Sequence, residues 1–131
     1  MEKKAGYIEL ENLEVYNIAR KLSSIAWKIY EALNWQQRKI MGDQFVESTD
    51  SVGANIAEGY GRFHYLDKIK FYYNSRGSYL ECKNHWLSLL KERKCIDINL
   101  YDEFIKESDV FLLKLNNFIS STYKAKTNEN K

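Results

Sequence analysis

His64 and His85 are the only histidines in this chain, and Cys82 and Cys95 its only cysteines. Imidazole, thiolate and carboxylate are the groups from which metal sites and acid–base pairs are made. A di-iron helical bundle needs several inward carboxylates and Glu-x-x-His pairs, yet Glu81 stands four residues before His85, not three. His64 follows a glycine-rich turn and reads as a solvated or capping residue, and His85 as a residue of a helix surface or interface. Cys82 and Cys95, thirteen positions apart, match no metal-ligand spacing, and without a secretory leader they read as free thiols. Gly59-Tyr60-Gly61-Arg62 is too short to cradle a phosphate, and no nucleophile elbow occurs. The residue types and spacings therefore point away from an enzyme, a metal or any other cofactor.

The remaining chemistry is ionic. It gathers at Asn55-Ile56-Ala57-Glu58-Gly59-Tyr60-Gly61-Arg62 and at Ser75-Arg76-Gly77-Ser78. Glu58 falls near a helix C-terminus, where the macrodipole disfavours an anion, so a cationic partner is expected in Arg62 or Arg76. Gly77 in mid-helix is costly unless another backbone comes close. Ser75, Ser78, Gly53, Ala54 and Ala57 are small in the same way. We expect these surfaces to meet and leave Asn55, Glu58 and Arg76 as a hydrogen-bonded polar cluster that fixes the turn and the subunit register.

A net charge of +2 does not by itself imply a nucleic-acid partner, but it is unevenly spread. Residues 62–94 carry eight basic side chains against three acidic, residues 34–58 two against four, and residues 97–123 two against five. Arg62, Lys68, Lys70, Arg76 and Lys83 are thus candidate phosphate contacts, with Tyr60, Tyr65, Tyr72 or Tyr73 to stack on bases. The plainer reading is that these cations meet the acidic helices on either side, within or between subunits.

Elements that position these residues follow from periodicity. Val15, Ile18, Leu22, Ile25, Ile29 and Leu33 recur at steps of three and four, predicting a helix over about 12–33 with Asn12 as its cap. Asn34 and Gln37 have capping-box spacing and open a second helix over about 35–58. Its stripe runs through Ile40 or Met41, Phe45, Ser48 or Thr49, Val52 and Ile56, and Gly59 and Gly61 are expected to end it in left-handed conformations. A third helix over about 65–93 shows two stripes. One is heptad-like (Leu66, Ile69, Tyr73, Leu80, Leu87, Leu90), and the other contains Tyr72, Ser75, Tyr79, Cys82, Trp86 and Leu89. Asn99 is placed to cap a fourth helix over about 99–123, with a frayed polar tail over 124–131. The expectation is one all-α domain spanning 1–131, an antiparallel up-down-up-down four-helix bundle. With 10 Tyr, 6 Phe and 3 Trp, it has more aromatic surface than one narrow core holds, so a homo-oligomer is expected. No apolar run approaches a membrane span, and Met1–Gly6 lead into charged sequence, which suggests a soluble cytoplasmic protein.

In this order and spacing the chain resembles the bacterial four-helix bundle family of 23S-rRNA intervening-sequence proteins. The accessory variability protein of diversity-generating retroelements is a more distant relative. The likeness covers roughly 8–122: Leu13-Glu14-Val15-Tyr16, Ala19-Arg20, Gln44, Ser51-Val52, Asn55 through Arg62, Lys70-Phe71, Ser75-Arg76-Gly77-Ser78 and Glu81. The resemblance implies four helices assembling into a homopentameric, barrel-like ring. It also brings in RNA or DNA, and a protein partner such as a reverse transcriptase, through the retroelement relative. Two positions depart from the pattern. Gly53 stands where the family usually has proline, and Val46-Glu47 stand where paired arginines are common. The second departure removes positive charge. Two functions are therefore carried forward: a non-enzymatic, nucleic-acid-associated assembly, and a protein-interaction scaffold with no nucleic-acid affinity.

Overall fold

The computed structural model describes residues 7–129, so Met1–Gly6 and the last two residues of the expected tail lie outside the described residues. A short 3₁₀ turn, Leu10–Asn12, leads into α1, Glu14–Glu31. The predicted stripe of α1 is buried in full, joined by Ala19 and Ala26. Asn12 does not cap it. That residue belongs to the 3₁₀ turn, and Leu13 occupies the N-cap position without a side-chain bond. Instead, Asn17 reaches back to the Glu11 carbonyl at 3.0 Å.

The second helix, α2, covers 35–60. It opens as Trp35–Gln37, widens into a π-helical stretch at Arg38–Gly42, and continues as Asp43–Tyr60. The expected capping box is present: Gln37 N–H donates to Asn34 Oδ1 at 2.9 Å, and Asn34 N–H to Gln37 Oε1 at 3.0 Å. The stripe settles on Met41, not Ile40, followed by Phe45, Ser48, Thr49, Val52 and Ile56. Neither Gly59 nor Gly61 is left-handed. Gly59 lies within the helix, and Gly61 has φ −80° and ψ −8°. Gly59 serves a close approach: a Cβ there would stand 2.8 Å from both Phe71 Cβ and Tyr72 Cε1, and 3.0 Å from the Lys68 carbonyl. The left-handed residue is Lys94 (φ 57°), in the connection that follows the third helix.

The third helix, α3, covers 65–92 as Tyr65–Leu80, a π-helical stretch Glu81–Leu87, and Ser88–Glu92. This stretch explains why the sequence shows two stripes. A π turn adds a residue and rotates everything after it by roughly a quarter turn. Before it, Ile69, Tyr72, Ser75 and Tyr79 face the core; within it, Cys82 and Leu87 do, and after it, Leu90. The heptad row is therefore split. Leu66, Tyr73 and Leu80 lie on the outside, and Trp86 and Leu89 are only partly buried.

The fourth helix, α4, spans Ile98–Glu129 and so continues through most of the segment expected to fray, which has no proline or glycine to stop it. Its first turn is satisfied by Asp97, not Asn99. The Asp97 carboxylate accepts from the N–H groups of Asn99 (2.9 Å) and Leu100 (3.2 Å), and an anion there also suits the dipole.

The four helices pack as an all-α bundle in which each touches its sequence neighbours and α4 closes against α1. Neighbours are antiparallel. Ser75 and Ser78 of α3 meet Val52 and Ser51 of α2, and Arg76 and Lys83 of α3 meet Asn116 and Asp109 of α4. Aromatic rings fill the centre, with Phe45 against Phe104, Tyr79 against Phe111 and Tyr72 against Phe118. The Tyr79 hydroxyl finds the Ser108 carbonyl at 3.0 Å, so this buried phenol carries no unpaired polar atom.

Candidate functional site

Because α3 contacts α2 on one side and α4 on the other, its cations divide between two neighbours. Arg62, just after α2, donates to the Glu58 carboxylate at 2.5 Å and lies over the Phe71 ring. Both side chains are about half exposed, so the pair contributes only a few tenths of a kcal/mol. Lys68 donates to the Tyr60 carbonyl at 2.8 Å, satisfying an acceptor left over at the end of α2. Burial lowers its pKa. Arg76 turns to α4, where it bonds Asn116 Oδ1 at 3.1 Å and covers the Tyr73 ring. Lys83 lies 3.7 Å from Asp109. Lys70 is exposed and has no hydrogen bond or ion pair among the described residues.

Asn55, Glu58 and Arg76 are accordingly not drawn into one cluster within a protomer. Asn55 Nδ2 donates along its own helix to the Ser51 carbonyl (2.8 Å) and Oγ (3.0 Å), Glu58 pairs with Arg62, and Arg76 leaves on the side of α4. Where α2 meets α3 the contacts are made by serines. Buried Ser75 donates to the Val52 carbonyl at 2.8 Å, and Ser78 to Ser51 Oγ at 3.0 Å. Gly77 takes no part in that contact, since a Cβ there would meet nothing within 4 Å.

The candidate stacking tyrosines also separate. Tyr72 is 1% exposed and unavailable to a base. The Tyr60 hydroxyl donates to the Ile8 carbonyl while its ring stacks with Tyr7. Tyr65 is partly buried, and Tyr73 is exposed. His64 stands at the N-cap of α3 without a capping bond, edge-on to Phe63. His85 lies edge-on to Trp86, whose indole N–H donates to Glu81 at 2.9 Å. Among the described residues no group of three or more His, Cys, Asp or Glu is gathered to hold a metal, and no helix is long and apolar enough to cross a membrane. Cys82 and Cys95 are free thiols; burial pushes the Cys82 thiol up to about 12.

Two surface features escaped the sequence reading. The first is the outward row of α3, in which Leu66, Tyr73 and Leu80 flank Gly77. The unexplained glycine and the exact seven-residue spacing were its signals. The second is a groove between α1 and α2, of about 690 Å³, floored by Gly53 and Ala54 and walled by Tyr16 and Trp27. Only the small residues of α2 hinted at it, and Gly53 makes ordinary contacts with Ala19 and Tyr16 in an unbroken helix.

Comparison with known proteins completes the description. A crystal structure of a protein of unknown function from the S23 ribosomal protein family of Bacteroides thetaiotaomicron VPI-5482 is similar, with a TM-score of 0.73. The two share 24% identity over 80% of this chain and 97% of that one, a likeness that speaks to the fold alone. No curated protein matches. The family model described as 23S rRNA-intervening sequence protein matches residues 11–117, which takes in the first three helices, the first part of α4 and both signature segments. By that match the chain belongs to the 23S rRNA-intervening sequence protein family.

Proposed function

We propose that the protein is a non-catalytic, self-associating bundle that works as a ring of five copies and offers one surface repeatedly to a protein partner. The observation that carries this reading is the outward row of α3. Leu66, Tyr73 and Leu80 are 60%, 41% and 42% exposed on a helix that already fills the core with another stripe. Apolar side chains aligned on a solvent-facing helix are disfavoured by hydration, and association removes that penalty. The number five comes from the bacterial family that the sequence resembles; the helices argue for association of any order.

A scaffold without nucleic-acid affinity is favoured over a nucleic-acid contact for a specific reason. Four of the five candidate cations, Arg62, Lys68, Arg76 and Lys83, have partners inside the protomer, and only Lys70 is left to a phosphate. Sedimentation equilibrium tests the assembly: a mass five times the 15.5 kDa protomer is expected. A well-folded species of protomer mass across working concentrations overturns it. Labelled RNA and DNA oligonucleotides at low salt test the second point. Absence of binding is expected, and binding that falls steeply with added salt restores the nucleic-acid reading. Partners captured from the cell and retained after nuclease treatment support the scaffold.

A further inference from the structure

We infer that α3 is a helix with two settings. Its last turns can rotate to exchange Leu87 and Leu90 for Trp86 and Leu89 in the core, and a hydrogen bond from Trp86 to Glu81 latches the observed setting. This goes beyond the assembly proposed above and does not depend on it. The sequence of α3 holds two complete apolar stripes, each at the spacing of an uninterrupted α-helix. One runs through Tyr72, Tyr79, Cys82, Trp86 and Leu89, the other through Ile69, Tyr73, Leu80, Leu87 and Leu90. The fold takes the first half of one and the second half of the other, and the π-helical stretch Glu81–Leu87 makes the change of stripe. Wound as an ordinary α-helix, with everything before it in place, the same chain would bring Trp86 and Leu89 to the positions of Leu87 and Leu90. Both are already partly buried against the core.

Two side-chain bonds suit the wider winding and not the narrower one. The Trp86 indole N–H donates to Glu81 Oε2 at 2.9 Å, and Ser88 Oγ to the Lys83 carbonyl at 3.5 Å. Each joins residues five apart. On an α-helix such residues lie roughly 140° apart around the axis, whereas in a π turn they lie nearly above one another. The two halves of α3 are also held unequally. Before the stretch, Ser75 and Ser78 bond to α2, and Arg76 and Tyr79 to α4. After it, no side chain of Ser88–Glu92 has a hydrogen bond to another helix among the described residues, and the polar tether is Lys91, over the Tyr101 ring at 4.2 Å. Rotation therefore falls to the short downstream segment. An indole is bulkier than a leucine side chain, so the latched setting is the major one. Glu81 is exposed, and a cationic group arriving from outside can compete with the indole for its carboxylate. Once released, this end of the bundle presents Leu87 in place of Trp86.

Fluorescence of Trp86 separates a latch from a plain surface bond. Trp27 and Trp35 are exposed, and in a Trp27→Phe, Trp35→Phe background Trp86 is the one remaining tryptophan. Glu81→Ala should shift its emission to the blue and lower its quenching by acrylamide, as the indole turns inward. Glu81→Gln, whose amide oxygen can still accept the N–H, should keep the parent values. A bond with no latching role predicts the reverse for Glu81→Ala, since an indole merely set free is quenched more. Greater or unchanged quenching there, or a Glu81→Gln protein that behaves like Glu81→Ala, overturns the inference. Alkylation rates read the leucines. In a Cys95→Ser background, Leu87→Cys and Leu89→Cys report on their own positions while the buried Cys82 stays silent. Adding Glu81→Ala should slow alkylation at 89 and speed it at 87 by about tenfold or more, the population shift that loss of one charge-assisted hydrogen bond allows. Both rates rising together means loosening without rotation; that outcome, or no change at either position, overturns the inference.

Discussion

Replacing Gly59 with alanine sets two effects of known size against each other. Alanine is the better helix former by about 1 kcal/mol, so propensity alone predicts a more stable protein. Packing predicts the reverse. The new methyl would lie 2.8 Å from Phe71 Cβ and Tyr72 Cε1 and 3.0 Å from the Lys68 carbonyl, closer than carbon and oxygen tolerate. Tyr72 is 1% exposed with its ring against Phe118, and the other two atoms belong to or adjoin the α3 backbone. Relief therefore requires α2 and α3 to separate. Overpacking of this kind typically costs about 1–3 kcal/mol, and with no soft neighbour to yield we take the upper end. The net expectation is a loss of about 1–2 kcal/mol. At about 2.1 cal/mol/K of unfolding entropy per residue, that is a fall in Tm of roughly 4–7 °C for this chain. Thermal unfolding followed by far-UV circular dichroism measures it. Protein concentration must be held fixed, because the proposed self-association would itself raise the melting temperature. A Gly59→Ala protein that melts at or above the wild type refutes the claim that this glycine exists to let two helices touch.

Three further outcomes are expected. Cys82 is held protonated by burial, with its pKa raised from 9.0 to about 12, so its contribution to stability is complete below pH 9 and is lost as pH rises from 9 toward 12. Linkage puts the loss between pH 8 and pH 10 at roughly 1 kcal/mol; urea midpoints at those two pH values should diverge for wild type and less so for Cys82→Ala, and equal slopes count against it. Asp97→Ala should cost about 1 kcal/mol and speed amide exchange at Asn99 and Leu100, the two N–H groups it accepts from; unchanged exchange there contradicts the cap. Ser75→Ala removes a buried donor to the Val52 carbonyl and should lower the urea midpoint by an amount equal to about 1 kcal/mol, whereas no shift would mean that this hydrogen bond adds nothing.

A helix of constant phase and a purely local cap were readable from the sequence. The α1 stripe from Val15 to Leu33 is buried as spaced, and the Asn34–Gln37 capping box forms with both bonds. The third helix was only half readable, since a π turn leaves no mark in composition and the choice between two stripes depends on where it falls. Caps were misplaced by a residue or two because Asn12, Asp97 and Asn99 are all chemically able to cap, and only the path of the chain selects one. The polar residues were the least legible. Glu58 does take a cation, yet Arg62 was four residues away on the same strand of sequence and Arg76 was drawn off by Asn116, a residue forty positions distant. Which helix a long side chain leans toward is a property of the assembled bundle, not of its spacing.

The wide turn at Glu81–Leu87 has a consequence for how this protein tolerates change. It works like a gear between two halves of a single rod, letting the upstream half show one side to the outside while the downstream half shows its leucines inward. Substitutions at 66, 73 and 80 can thus change the outer surface without disturbing what the molecule folds around. Winding the same residues as an ordinary α-helix would couple the halves again, forcing Leu80 inward or Leu87 out.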